Sequence, residues 1–190
     1  MSLYELLLFL HICAAIVWIG AGTLINLLAF RYDQAADHEG LRRIAVDNEH
    51  LAKILFIPAS FATLILGILT TIDGPWSFGD LWILIGLGGI AATIFTGMAI
   101  ISPRSEEIAT MMERDGMTPA AAVKIKQLLT MARIDLVVLY LVVADMALKP
   151  TGDDVGVLIG MAVILAAAVA FFTSRAKAAE TEPIAHPSRV

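Results

Sequence analysis

Apolar residues gather in five long blocks separated by polar segments. The blocks run from about Leu3 to Phe30, Ile54 to Ile72, Leu81 to Ser102, Leu128 to Leu148 and Val155 to Phe172. A helix rises about 1.5 Å per residue, and a hydrocarbon core of roughly 30 Å needs about 20 apolar residues. The pattern therefore predicts an all-α fold, a polytopic membrane helix bundle with five transmembrane helices occupying residues 1–174. The remaining 175–190 is polar, alanine-rich and proline-containing, and is expected to be a disordered tail. The first block has no basic residue ahead of it and carries Glu5, so it reads as a span and not as a cleaved signal peptide.

The polar segments predict structure of their own. Residues 36–53 contain no proline and lead straight into the second block, as a helical extension would. Gly116 breaks a short helix in the third segment. Thr118-Pro119 then reads as N-cap and first residue of a helix running unbroken into the fourth block, roughly 30 residues in all. Asp153 or Asp154 is placed to cap the fifth.

Composition sharpens the class. The 190 residues are 58% hydrophobic and 16% charged, with a mean hydropathy of +0.81. Soluble domains carry about 45–50% apolar and about 25% charged residues, so a soluble enzyme is excluded, as is a disordered regulator. A net charge of −5 gives no reason to expect nucleic acid as a partner, and a single cysteine, Cys13, leaves no intrachain disulfide or multi-cysteine metal site.

Charge also orients the spans. Of 13 Lys and Arg, 11 fall in the first and third polar segments and the tail, from Arg31, Arg42, Arg43 and Lys53 to Arg175, Lys177 and Arg189. The positive-inside rule puts these in the cytoplasm and the N-terminus outside. Tyr4, Trp76 and Trp82 then fall at the outer edge, as an aromatic belt.

Ionisable residues within spans are costly and are functional candidates by default. His11 shares a stripe with Ala15, Trp18, Gly22 and Asn26, all within about 80° at 100° per residue. An imidazole, small residues that admit a flat ligand, and a large apolar wall are what a membrane haem requires. The competing reading is a histidine hydrogen-bonded to a neighbouring helix. By helical rise, His11 and Asp145 lie about 8 and about 10 Å outward of the midplane, so Asp145 is placed to orient the imidazole. Arg133 is placed to pair with Glu49 or Asp135, to meet a haem propionate, or to snorkel to headgroups. His38, His50 and His186 do not reach the depth of His11. The site would be five-coordinate, use Met146 or Met161, or be shared across a dimer. Gly86, Gly88, Gly89 and Gly97 in the third span suit close helix contacts.

These residues carry a resemblance. Leu10-His11 through Trp18, Gly20 and Gly22 to Arg31 is similar to the first span of a bacterial superfamily. It includes CopD-type copper-resistance proteins, HemJ-type protoporphyrinogen oxidases and a family of predicted integral membrane proteins without assigned function. Glu49-His50-Leu51 through Pro58-Ala59 to Gly67, Trp82 and Lys149-Pro150 resemble HemJ-type stretches. The resemblance spans about residues 4–150. It implies haem b on His11 and a bacterial cytoplasmic membrane location; Trp18 and Gly22 of the stripe, and Arg133, are then the residues expected to line the cofactor. HemJ-type proteins also use a lysine early in the third span, where this chain reads LWILIGLGGI, so protoporphyrinogen oxidation is not implied.

Three functions follow: a b-haem membrane oxidoreductase or electron carrier, a non-catalytic component that packs against itself or a larger complex, and a small transporter using Arg133, Asp135 and Asp145.

Overall fold

The computed structural model describes residues 2–35 and 37–181, and within them the side chains at 38, 49, 119 and 177–181 lie outside the description. The described residues form seven α-helices and no strand.

Helix α1 (Leu3–Gln34) starts from a capping box in which Ser2 and Glu5 satisfy each other's backbone amides. α2 (His38–Leu51) passes through a π-helical turn, Ala52–Phe56, into α3 (Ile57–Asp73). α4 (Leu81–Thr96) passes through a second, Gly97–Ile101, into α5 (Ser102–Asp115). α6 (Pro119–Leu148) and α7 (Val155–Thr181) complete the bundle.

Both π-helical turns have the same cause. A proline cannot donate to the carbonyl four residues before it and crowds that carbonyl with its ring. For Pro58 that carbonyl belongs to Ile54, and for Pro103 to Ala99, the middle residue of each π-helical turn. The helix widens instead of breaking: the residue before each proline donates five back, Ile57 to Ala52 and Ser102 to Gly97.

The segment between the third and fourth blocks folds as expected. α5 ends at Gly116, whose φ of 69° suits glycine. The Thr118 hydroxyl accepts from the Ala121 amide, opening a helix of 30 residues. Residues 38–73 are likewise continuous helix through the π-helical turn. Two expectations change. α7 continues to Thr181, so the start of the expected tail is helical; residues 182–190 lie outside the described residues. Asp154 turns its carboxylate back onto the amide and hydroxyl of Thr151, which holds its pKa low, and only its carbonyl meets the α7 amides.

Among the described residues, four stretches are long and apolar enough to cross a membrane: Leu3–Gln34, Glu39–Asp73, Leu81–Asp115 and Val155–Ala176. The remaining block lies in α6, which packs against α1, α4 and α7 and carries Arg133, Asp135 and Asp145. Outward faces are apolar, with Ile16, Ile72 and Phe95 about two-thirds exposed, as lipid contact requires.

Two clusters hold the bundle. Trp18, Ile90, Leu139 and Val142 join α1, α4 and α6. Ala45, Ile108, Met112, Ala121, Ile125 and Leu128 join α2, α5 and the start of α6. In α4 and the π-helical turn that follows it the glycines divide by role. Met146 and Val142 of α6 lie where a Cβ on Gly86 and Gly89 would sit, while Gly88 and Gly97 face open space. The aromatic residues expected together meet at one end. Trp76 and Trp82 pack edge to face at 5.1 Å, Trp76 Nε1 donates to the Tyr4 hydroxyl, and the Lys149 ammonium sits 3.8 Å over the Trp76 ring.

Candidate functional site

The candidate polar residues inside the bundle fall into four separate places. The first is His11. Its Nδ1 lies 2.8 Å from the Thr63 carbonyl of α3. A carbonyl can only accept, so Nδ1 carries the proton and Nε2 keeps its lone pair. Thr63 uses its own hydroxyl on the Ala59 carbonyl and meets His11 through the backbone alone. The ring lies against Gly67: a Cβ there would sit 3.0 Å from Cε1 and 3.2 Å from Nδ1. Gly67 is what lets the imidazole reach α3.

The second place is Asp145, on the seam between α6 and α4. It is fully buried, and neither carboxylate oxygen has a hydrogen-bond partner. The expected pairing with His11 is not formed, because the imidazole proton goes to Thr63. Met146 packs over Gly86, where it fills the α4–α6 contact.

The third is a cavity of about 170 Å³ toward the α2–α5 end. Trp18, Gly22 and Asn26 of the expected stripe line it, together with Asp135 of α6. Both π-helical turns contribute walls, through Ala52 and Phe56 and through Gly97, Met98 and Ile101. Asn26 Nδ2 donates to the Gly22 carbonyl within α1, and its Oδ1 is buried without a partner. Asp135 makes no hydrogen bond or ion pair to a described residue. Asn48 reaches Ser105 across the α2–α5 side at 3.4 Å.

Arg133 faces away from this cavity. Its guanidinium lies over the Phe30 ring at 5.6 Å, and its Nη2 is buried without a partner. It does not pair with Asp135. The two are neighbours but one on the same helix, and residues at that spacing point to different faces. The Glu49 side chain, the other expected partner, lies outside the described residues. Phe30 is 19 residues along α1 from His11, about 28 Å by helical rise. That exceeds the span of a porphyrin with its propionates, so Arg133 and His11 do not belong to one haem site. Gly22 is about 16 Å from His11 on the same scale, and Trp18 about 10 Å.

The stripe thus divides: His11 faces α3, while Trp18, Gly22 and Asn26 face the cavity. Sequence reasoning missed Thr63 and Gly67 as the partners of His11, and missed the cavity. Pro58 and Pro103, each inside a helical stretch, were the legible signal for the cavity walls.

A model of a family described as predicted integral membrane protein (DUF2269) matches residues 5–150. No curated protein and no solved structure matches.

Proposed function

The chain belongs to the DUF2269 family of predicted integral membrane proteins, and from that premise we propose a five-span membrane protein that holds a b-type haem on His11 in a redox role. In this reading α6 is the remaining span, the N-terminus lies outside and the C-terminus in the cytoplasm of a bacterial cell. Three features support the topology: the alternation of basic and acidic segments, the Tyr4–Trp76–Trp82 cluster at one end, and the paired α2 and α5 at the other.

One observation carries the haem assignment: the His11 Nδ1 contact with the Thr63 carbonyl. A metal-ligating histidine almost always donates its other ring proton to a carbonyl, carboxylate or water. That bond fixes the tautomer, orients the ring and makes Nε2 more basic. Among the described residues no group of three or more His, Cys, Asp or Glu is placed to hold a bare metal ion. A porphyrin brings four nitrogen ligands of its own and asks the protein only for axial ones, which suits a single imidazole. Bound haem would supply one-electron exchange. The chain's own part is to hold Nε2 ready, to set its basicity through Thr63, and to keep the ring dry against α3. The iron would be five-coordinate or completed by a second copy.

The test is an absorption spectrum of protein purified from haem-replete cells. A Soret band present in the wild type and lost in His11→Ala supports the assignment. A colourless wild-type protein overturns it.

A further inference from the structure

We infer that the cavity between the two π-helical turns is a second site, which takes a lipid-soluble one-ring compound bearing hydrogen-bonding oxygens, of the benzoquinone or benzoquinol class. Its volume, about 170 Å³, is that of an apolar cavity that admits one aromatic ring; a cavity of roughly 150 Å³ takes benzene. Its walls are mostly apolar, from Trp18, Phe56 and Leu139 to Ile125 and Leu128. A wholly apolar cavity has no need of a carboxyl group, yet Asp135 lines this one and makes no hydrogen bond to a described residue. Asn26 lines it too, with a buried amide oxygen that nothing satisfies. Buried polar groups are ordinarily paired, and exceptions call for an explanation.

These two groups reach the cavity from different helices, α1 and α6. Leu136 touches the position a Cβ on Gly22 would occupy, at 3.8 Å, which brings Gly22 and Leu136 to one level. Asp135 lies one residue inward of that level on α6, and Asn26 four residues inward on α1. At the helical rise they are offset by about 4–5 Å along the axis. A quinol can donate one hydroxyl to the Asn26 oxygen and the other to Asp135. A quinone carbonyl can accept from Asp135 when that carboxyl is protonated.

The walls are held open by the chain itself. Each π-helical turn is centred four residues before a proline, so neither can tighten into the α-helical ladder. π-helical turns inside α-helices are frequent at functional sites. His11 takes no part in this cavity, so the inference stands or falls apart from the haem assignment.

The experiment is a fluorescence titration of the full chain in nanodiscs with tetramethyl-1,4-benzoquinone, which quenches tryptophan and cannot alkylate Cys13. Quenching that saturates, and whose saturable part disappears in Trp18→Phe, places the quinone at the cavity. Gly97→Leu adds a side chain where a Cβ meets no neighbour, and Asp135→Leu removes the carboxyl. Each should raise Kd at least tenfold, while Asp135→Asn stays within about threefold. Strictly linear quenching, or a Kd unchanged by Gly97→Leu in a protein with wild-type melting, would overturn the inference.

Discussion

Asp145→Leu should make the protein more stable. Asp145 is fully buried between α6 and α4, and both carboxylate oxygens lack a hydrogen-bond partner. Leu has the same number of side-chain heavy atoms in the same branched shape, so the replacement opens no cavity; its methyl groups are bulkier than the carboxylate oxygens, and the seam beside Gly86 must give slightly to take them. What it removes is the cost of a buried polar group left unsatisfied, about 1–3 kcal/mol. That corresponds to roughly a 5- to 150-fold fall in the unfolded fraction, at about 1.4 kcal/mol per tenfold. Asp145→Asn should gain less, because the amide brings donors and an acceptor that are equally unpaired. The assay is unfolding of purified protein in mixed micelles with rising SDS, read by tryptophan fluorescence, since Trp18 sits in the same α1–α4–α6 cluster. A loss of stability of about 1 kcal/mol or more in Asp145→Leu would refute the reasoning, because it would mean that the carboxyl is satisfied in the membrane.

Two further outcomes follow from the packing. Gly67→Leu places bulk against His11, whose Cε1 is 3.0 Å from a Cβ at that position; it should abolish the Soret band while Gly20→Leu, with open space around it, leaves it intact. Pro103→Ala restores a donor to the Ala99 carbonyl and lets the second π-helical turn tighten; a net backbone hydrogen bond is worth about 1 kcal/mol. Hydrogen exchange at 97–103 should slow about fivefold and quinone binding should weaken; unchanged exchange would show that the turn has another cause.

How far the sequence revealed the site depended on range. The break at Gly116 and the cap at Thr118 were legible because each is decided by a residue's own backbone preference. The aromatic cluster at Tyr4, Trp76 and Trp82 was legible because amphipathic rings share one depth. The partner of His11 was not. A matching depth singled out Asp145, but depth says nothing about which way around a helix a side chain points. The acceptor was a backbone carbonyl, which every residue carries and no side chain advertises. Gly67 made the contact through what it lacks. The His11–Asn26 stripe was divided because an arc of about 80° is wide enough to face two neighbours, α3 at one end and the cavity at the other. Asp135 and Arg133, two residues apart, were separated by the same rotation.

The proposed redox role depends on haem at His11. The most direct measurement is the haem-to-chain ratio of the purified wild-type protein from haem-replete cells, by pyridine haemochrome against protein mass. The expected value is one haem per chain, or one per two chains where two copies share it, falling below a tenth of that in His11→Ala. A ratio near zero in the wild type, or an undiminished ratio in a folded His11→Ala protein, would contradict it.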